Sequence, residues 1–154
     1  MESVQHRKGQ GGFTLIELIA VLVVLGILAA VAVPRYLAMQ DDARQAAVNA
    51  QANNITTASL KNMAACQLDA LSGIGGHPGH DCVTIDEGDS ITDITDSIGN
   101  LADEGYLSKN PLDENYEVSE DTTEGTFYAE FDLYASDGGL MRPDVQLFLN
   151  YVQD

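Results

Sequence analysis

Tryptophan is absent from this chain of 154 residues, and only four Phe and six Tyr are present. A core made without large aromatics must be small and built from aliphatic side chains and Ala. Positive charge is scarce as well: seven Lys and Arg stand against 24 Asp and Glu, a formal net charge of −17. From Asp69 to Asp154 there are 20 acidic residues and two basic ones, Lys109 and Arg142. Such a surface repels DNA and RNA, whose binding needs Lys and Arg against phosphate. It also gives no help against anionic lipid headgroups. A Gly-rich phosphate loop, a serine nucleophile elbow and a haem attachment signature are all missing, and no constellation of catalytic groups replaces them. The reading is of a protein that is not an enzyme and holds no cofactor.

One stretch lacks charge almost entirely. From Phe13 to Val33, 21 residues, Glu17 is the single ionisable side chain. A helix there would be roughly 31 Å long, which matches a hydrocarbon core of about 30 Å. Residues 1–12 are polar and place Arg7 and Lys8 just before the run, which holds that end in the cytoplasm. A secretory signal peptide would have a shorter apolar region followed by small residues. Here the small residues, Gly11 and Gly12, come first. Cleavage at this glycine pair would remove a leader and leave the hydrophobic helix on the product, beginning at Phe13.

Glu17 has two readings. Thr14-Leu15-Ile16-Glu17 has the form of a capping box, in which the glutamate reaches back to a backbone N–H. Alternatively, cutting after Gly12 exposes an α-amino group on Phe13, four residues before the carboxylate. A lone charge at membrane depth costs at least about 2.5–3.5 kcal/mol, so such groups pair. Pairing between chains would set the axial register of one helix against the next. The two roles are compatible.

Gly12-Phe13-Thr14-Leu15-Ile16-Glu17-Leu18 resembles the processing site of type IV pilins and the related pseudopilins, and the likeness runs over residues 7–37. Pro34 stands where many pilins also have proline. The resemblance implies that a membrane-embedded prepilin peptidase cuts between Gly12 and Phe13 and N-methylates the Phe13 amine. It implies that Glu17 neutralises that amine on an adjacent subunit, with Phe13, Glu17 and Pro34 taking part in assembly. The next residues, Pro34-Arg35-Tyr36-Leu37-Ala38-Met39-Gln40-Asp41-Asp42-Ala43-Arg44, are similar to pilins of the mannose-sensitive haemagglutinin group.

Pro34 should kink or loosen the helix. From Tyr36 to Leu71 there are ten Ala and no Gly or Pro, so the helix should continue. Val48, Ala52, Ile55, Ser59, Met63, Cys66 and Ala70 fall on one face at spacings of three and four. Gly73-Ile74-Gly75-Gly76-His77-Pro78-Gly79 ends it. A short helix is expected around Ile94–Asp103. Leu101 to Leu107 followed by Asn110-Pro111-Leu112-Asp113 resembles the helix-to-sheet crossing of pilins and G-type pseudopilins. Phe127 to Tyr134 and Val145 to Tyr151 alternate apolar and polar residues, the pattern of strands with one buried face. Asp137-Gly138-Gly139 reads as the turn between them, and Tyr116–Ser119 as a third strand. The expectation is an α+β pilin fold: a long N-terminal helix packed on an antiparallel sheet of three to four strands. The divisions are a leader 1–12, a transmembrane and assembly helix 13–33, the soluble half of the helix 34–71, and a globular head 72–154.

Cys66 and Cys82 are the only cysteines. With the head outside the cytoplasmic membrane, oxidising conditions favour a disulfide. It would close a loop of roughly 15 residues, worth about 3 kcal/mol in the chain-entropy model. Many major pilins instead bracket a loop near the C-terminus. His77, His80 and Cys82 are not expected to make a zinc set, because only one Cys and two His lie close together and the cysteine is the expected disulfide partner of Cys66. Acidic runs at Asp86–Asp89 and Asp93–Asp96 miss the spacing of an EF-hand loop. Ser136-Asp137-Gly138-Gly139 with Asp144 resembles the calcium loop of G-type pseudopilins, but a solvated acidic turn is the adopted reading, with no metal. The functional expectation is a pilin, the structural subunit of an extracellular type IV pilus. It would be held as a single-pass precursor in the inner membrane, with prepilin peptidase, the assembly machinery and further copies of itself as partners. The alternative is a periplasmic pseudopilin of a type II secretion system.

Overall fold

The computed structural model describes residues 12–72, 81–85, 90–113, 115–121, 127–142 and 145–152. The chain divides into two compact units, Met1–Gln40 and Asp41–Asp154. Helix α1, Leu15–Ser72, contributes to both. It runs through Pro34 as continuous α-helix, with one ladder bond fewer because proline has no N–H. It stops at Ser72, just before the glycine-rich stretch 73–79, which lies outside the described residues.

Within the unit Asp41–Asp154, α1 buries a stripe that begins at Val48, Ala52 and Ile55. The stripe then differs from its expected course. Ala58 and Asn62 are buried as well, Met63 is half-buried and Ala70 is exposed. A straight helix at 3.6 residues per turn drifts away from a fixed spacing, and the last turn carries Ala70 clear of the core.

Helix α2, Ile91–Asp103, starts three residues before its expected position. The reason is a capping box. Ser90 N–H and Oγ–H donate to Asp93 Oδ2 at 2.9 and 2.6 Å, and Asp93 N–H returns to Ser90 Oγ at 3.4 Å. Its apolar face buries Ile94, Ile98 and Leu101. The helix ends at Asp103 with Glu104 as its C-cap, and the chain leaves it through Gly105, whose φ of 80° is the left-handed conformation that glycine adopts at little cost. Tyr106 and Leu107 N–H both donate to the Leu101 carbonyl, at 2.9 and 3.1 Å. A single 3-10 turn, Pro111–Asp113, leads to the sheet.

The described residues form three strands, β1 Tyr116–Ser119, β2 Tyr128–Phe131 and β3 Leu147–Tyr151. Their order is β1-β3-β2, with both pairings antiparallel. The last strand in sequence therefore sits in the centre. Strands β2 and β3 are shorter than the alternating runs that announced them. Between them the chain makes an inward excursion, closed by a Tyr134–Leu140 bridge around the turn at Asp137–Gly139. Leu133, Ala135 and Met141 are buried there, so the alternation that runs past Phe131 to Leu133 records core packing rather than a longer ladder.

The sheet lies on α1, as its apolar face requires. Phe131, Leu147 and Leu149 join Val48, Ala52 and Ile55 in one core with the buried face of α2. Polar struts fix the edge strand β2 to the helix. Gln45 Nε2 donates to the Tyr128 carbonyl at 2.8 Å, and Asp132 N–H donates to Thr56 Oγ1 at 3.0 Å. Edge groups that would otherwise offer themselves to another strand are occupied at these two points.

Candidate functional site

Glu17 sits in the first turn of α1, with Thr14 as the capping residue. Thr14 N–H and Oγ–H donate to Glu17 Oε2 at 3.0 and 2.8 Å, and Glu17 N–H lies 3.4 Å from Thr14 Oγ1. This is the reciprocal arrangement of a capping box, and it satisfies donors that a helix N-terminus leaves orphaned. Both bonds converge on one carboxylate oxygen. Glu17 Oε1 takes no part in the cap, so the side chain keeps acceptor capacity for a second partner.

Around this cap the surface is apolar and uncovered. Phe13 is 90% exposed and Leu15 76%. The large apolar side chains from Leu18 to Met39 are likewise exposed, among them Val23, Leu25, Leu28 and Val33. A monomeric soluble protein rarely exposes a contiguous apolar patch of more than a few hundred Å². The helix is long and apolar enough to cross a membrane. A segment of this kind needs lipid or other helices around it. Phe13, Glu17 and Pro34 belong to the unit Met1–Gln40; residues 1–11 of the expected leader lie outside the described residues.

Cys66 and Cys82 belong to the other unit, where they form a disulfide with Cα atoms 5.0 Å apart. Sequence reasoning missed their neighbour Asn62. It is fully buried on α1 and pairs with Val83 at both backbone groups: its Nδ2–H donates to the carbonyl and its Oδ1 accepts the N–H, each at 2.8 Å. The available signal was a carboxamide one helical turn before a cysteine, beside an otherwise apolar stripe.

The acidic motifs do not converge. Among the described residues no group of three or more His, Cys, Asp or Glu side chains is placed to hold a metal ion. Asp93 is committed to the α2 cap, and the Ser90 hydroxyl and N–H hold its carboxyl below the ordinary value. Asp137 Oδ1 accepts from Gly139 N–H at 3.2 Å, closing its own turn. His77, His80, Asp86–Asp89 and Asp144 lie outside the described residues. Tyr106 donates to the Asp81 carbonyl at 3.3 Å. Its phenol is raised above the ordinary value by burial, and further by the carboxylates of Asp69, Glu104 and Asp81.

Three comparisons bear on the N-terminal segment. A family model for the prokaryotic N-terminal methylation motif matches residues 7–33. Over 47 residues, 30% of this chain, the sequence is 53% identical to the type IV narrow pilus major component PilA5 of Thermus thermophilus. Over 39 residues, 25% of this chain, it is 51% identical to the type II secretion system core protein G of Pseudomonas aeruginosa. The chain spans 40% of the first relative's length and 28% of the second's. No solved structure matches it significantly.

Proposed function

We propose, from the premise that this chain belongs to the type IV pilin and pseudopilin family, that it is a pilin: the structural subunit of an extracellular type IV pilus. The chain is made as a membrane-anchored precursor. Prepilin peptidase cleaves it between Gly12 and Phe13 and methylates the new Phe13 amine. The subunit then leaves the lipid for a filament whose core is made of helices like 13–33. The observation that carries this reading is an uncovered apolar helix with one carboxylate in its first turn.

That carboxylate can do two things at once. Its Oε2 closes the cap with Thr14, while Oε1 receives the ammonium of Phe13 from a neighbouring subunit. The neighbour's charge offsets the cost of carrying Glu17 through an apolar layer. The subunit enters the filament where that pair can form, which sets its axial position.

Two substitutions separate charge from capping. Glu17→Gln keeps an oxygen for the cap and removes the charge; Glu17→Val removes both. Both variants should insert and be cleaved normally, yet assemble few fibres, as read by electron microscopy of surface filaments and by subunit mass. Normal fibres from Glu17→Gln would refute the charge pairing. The native subunit's mass should show loss of residues 1–12, one added methyl group and an oxidised cysteine pair.

A second reading has its own support, the identity to a type II secretion core protein. There the same helix would build a short periplasmic pseudopilus. Abundant surface fibres containing this chain count against it. A secretion defect on deletion, with no surface fibre to lose, counts against the pilus.

A further inference from the structure

The segment 81–85 is fastened to α1 at two adjacent points of different chemistry. At one, Asn62 treats Val83 as a peptide partner, with both bonds at 2.8 Å and the side chain 0% exposed. At the other, Cys66 is bonded to Cys82. Asn62 and Cys66 are four residues apart and so share one face of α1, and Val83 follows Cys82 directly. The two fastenings therefore run side by side, and Cys66 Sγ lies 3.7 Å from both Asn62 Oδ1 and the Val83 carbonyl. The segment has its own reasons to dock. Val83 and Ile85 are buried in the core, and the Ile85 carbonyl accepts from Ser136 N–H at 3.0 Å and from Ser136 Oγ–H at 3.2 Å. None of these contacts requires oxidised sulfur.

We propose that Asn62 is a positioning residue for disulfide formation: it docks segment 81–85 on α1 while both cysteines are thiols, so that oxidation closes a contact already made and reduction does not open it. One thiolate attacks a sulfur of a small disulfide such as oxidised glutathione and releases one reduced glutathione. The second thiolate attacks the mixed disulfide and releases another. The cysteine pair gives up two protons and two electrons, and the oxidant takes both electrons. Docking raises the effective concentration of one thiol at the other, as any pre-formed contact does for an intramolecular step. The two bonds from Asn62 to Val83 form only when the segment docks, so they favour the docked arrangement over the open one.

The test uses the full chain in detergent micelles, reduced and then equilibrated in glutathione buffers, with free thiols trapped by alkylation and counted by mass. Asn62→Ala and Asn62→Leu should each lower the effective concentration of the thiol pair at least tenfold. Asn53→Ala, an exposed change on the same helix, should leave it unaltered. Values for both Asn62 variants within twofold of the native chain overturn the proposal. A second measurement decides even if those variants fail to fold. In Cys66→Ser/Cys82→Ser, with Asn62 intact, the Val83 amide should stay protected from hydrogen exchange. Exchange there at the rate of unstructured chain overturns it.

Discussion

Single residues carry more of this molecule than its small core would lead one to expect. Gly138 has φ of 110°, and a Cβ there would meet Gln67 Nε2 at 3.0 Å. Gly138→Ala therefore combines backbone strain with a close contact. It should destabilise the Asp41–Asp154 unit by about 1–3 kcal/mol, read as a lower midpoint in urea with an unchanged slope. Tyr106 works in the opposite pH range from the acids. Its phenol is raised by burial and by neighbouring carboxylates, so its contribution is complete below the unfolded value of about 10 and is lost as pH rises through the folded one. Tyr106→Phe should flatten the alkaline limb of the stability profile measured by thermal unfolding.

At the scale of elements, both long helices open with the same device. Thr14 with Glu17 begins α1, and Ser90 with Asp93 begins α2. One box ends in Glu and the other in Asp, and in each the capping residue donates both its N–H and its hydroxyl to a single carboxylate oxygen. Ser90→Ala should cost about 0.5–2 kcal/mol, seen as faster hydrogen exchange in the first turn of α2. The Asp93 carboxyl is lowered by those same bonds. Its contribution is therefore present above the ordinary carboxylate value of about 3.9 and is lost as pH falls through the folded value. Asp93→Asn should remove that part of the acid-induced loss, as followed by circular dichroism. The disulfide acts between elements. Cys66→Ser/Cys82→Ser should lower stability by about 3 kcal/mol, because an open loop of roughly 15 residues gains entropy in the unfolded chain.

For the whole molecule, the two units set different demands on their surroundings. The unit Asp41–Asp154 has its own core and an acidic surface that discourages association. A fragment beginning at Asp41 should be soluble, monomeric and cooperative in unfolding, whereas the full chain should partition into membranes or micelles; sedimentation of both checks this. An aggregated or unstructured fragment would show that the head depends on residues 13–40. The sequence alone sufficed for the N-terminal segment and for the class of the fold. Length, apolar composition and the box at Thr14–Glu17 are local properties, and a membrane-length helix is specified one residue after another. The alternation at Phe127–Leu133 and Val145–Tyr151 marked strands for the same reason. Local pattern could not say that β3 lies between β1 and β2, that the excursion 132–142 turns inward, or that Asn62 is buried against Val83. Those arrangements join residues far apart in the chain, and contacts made only when the core closes decide among them.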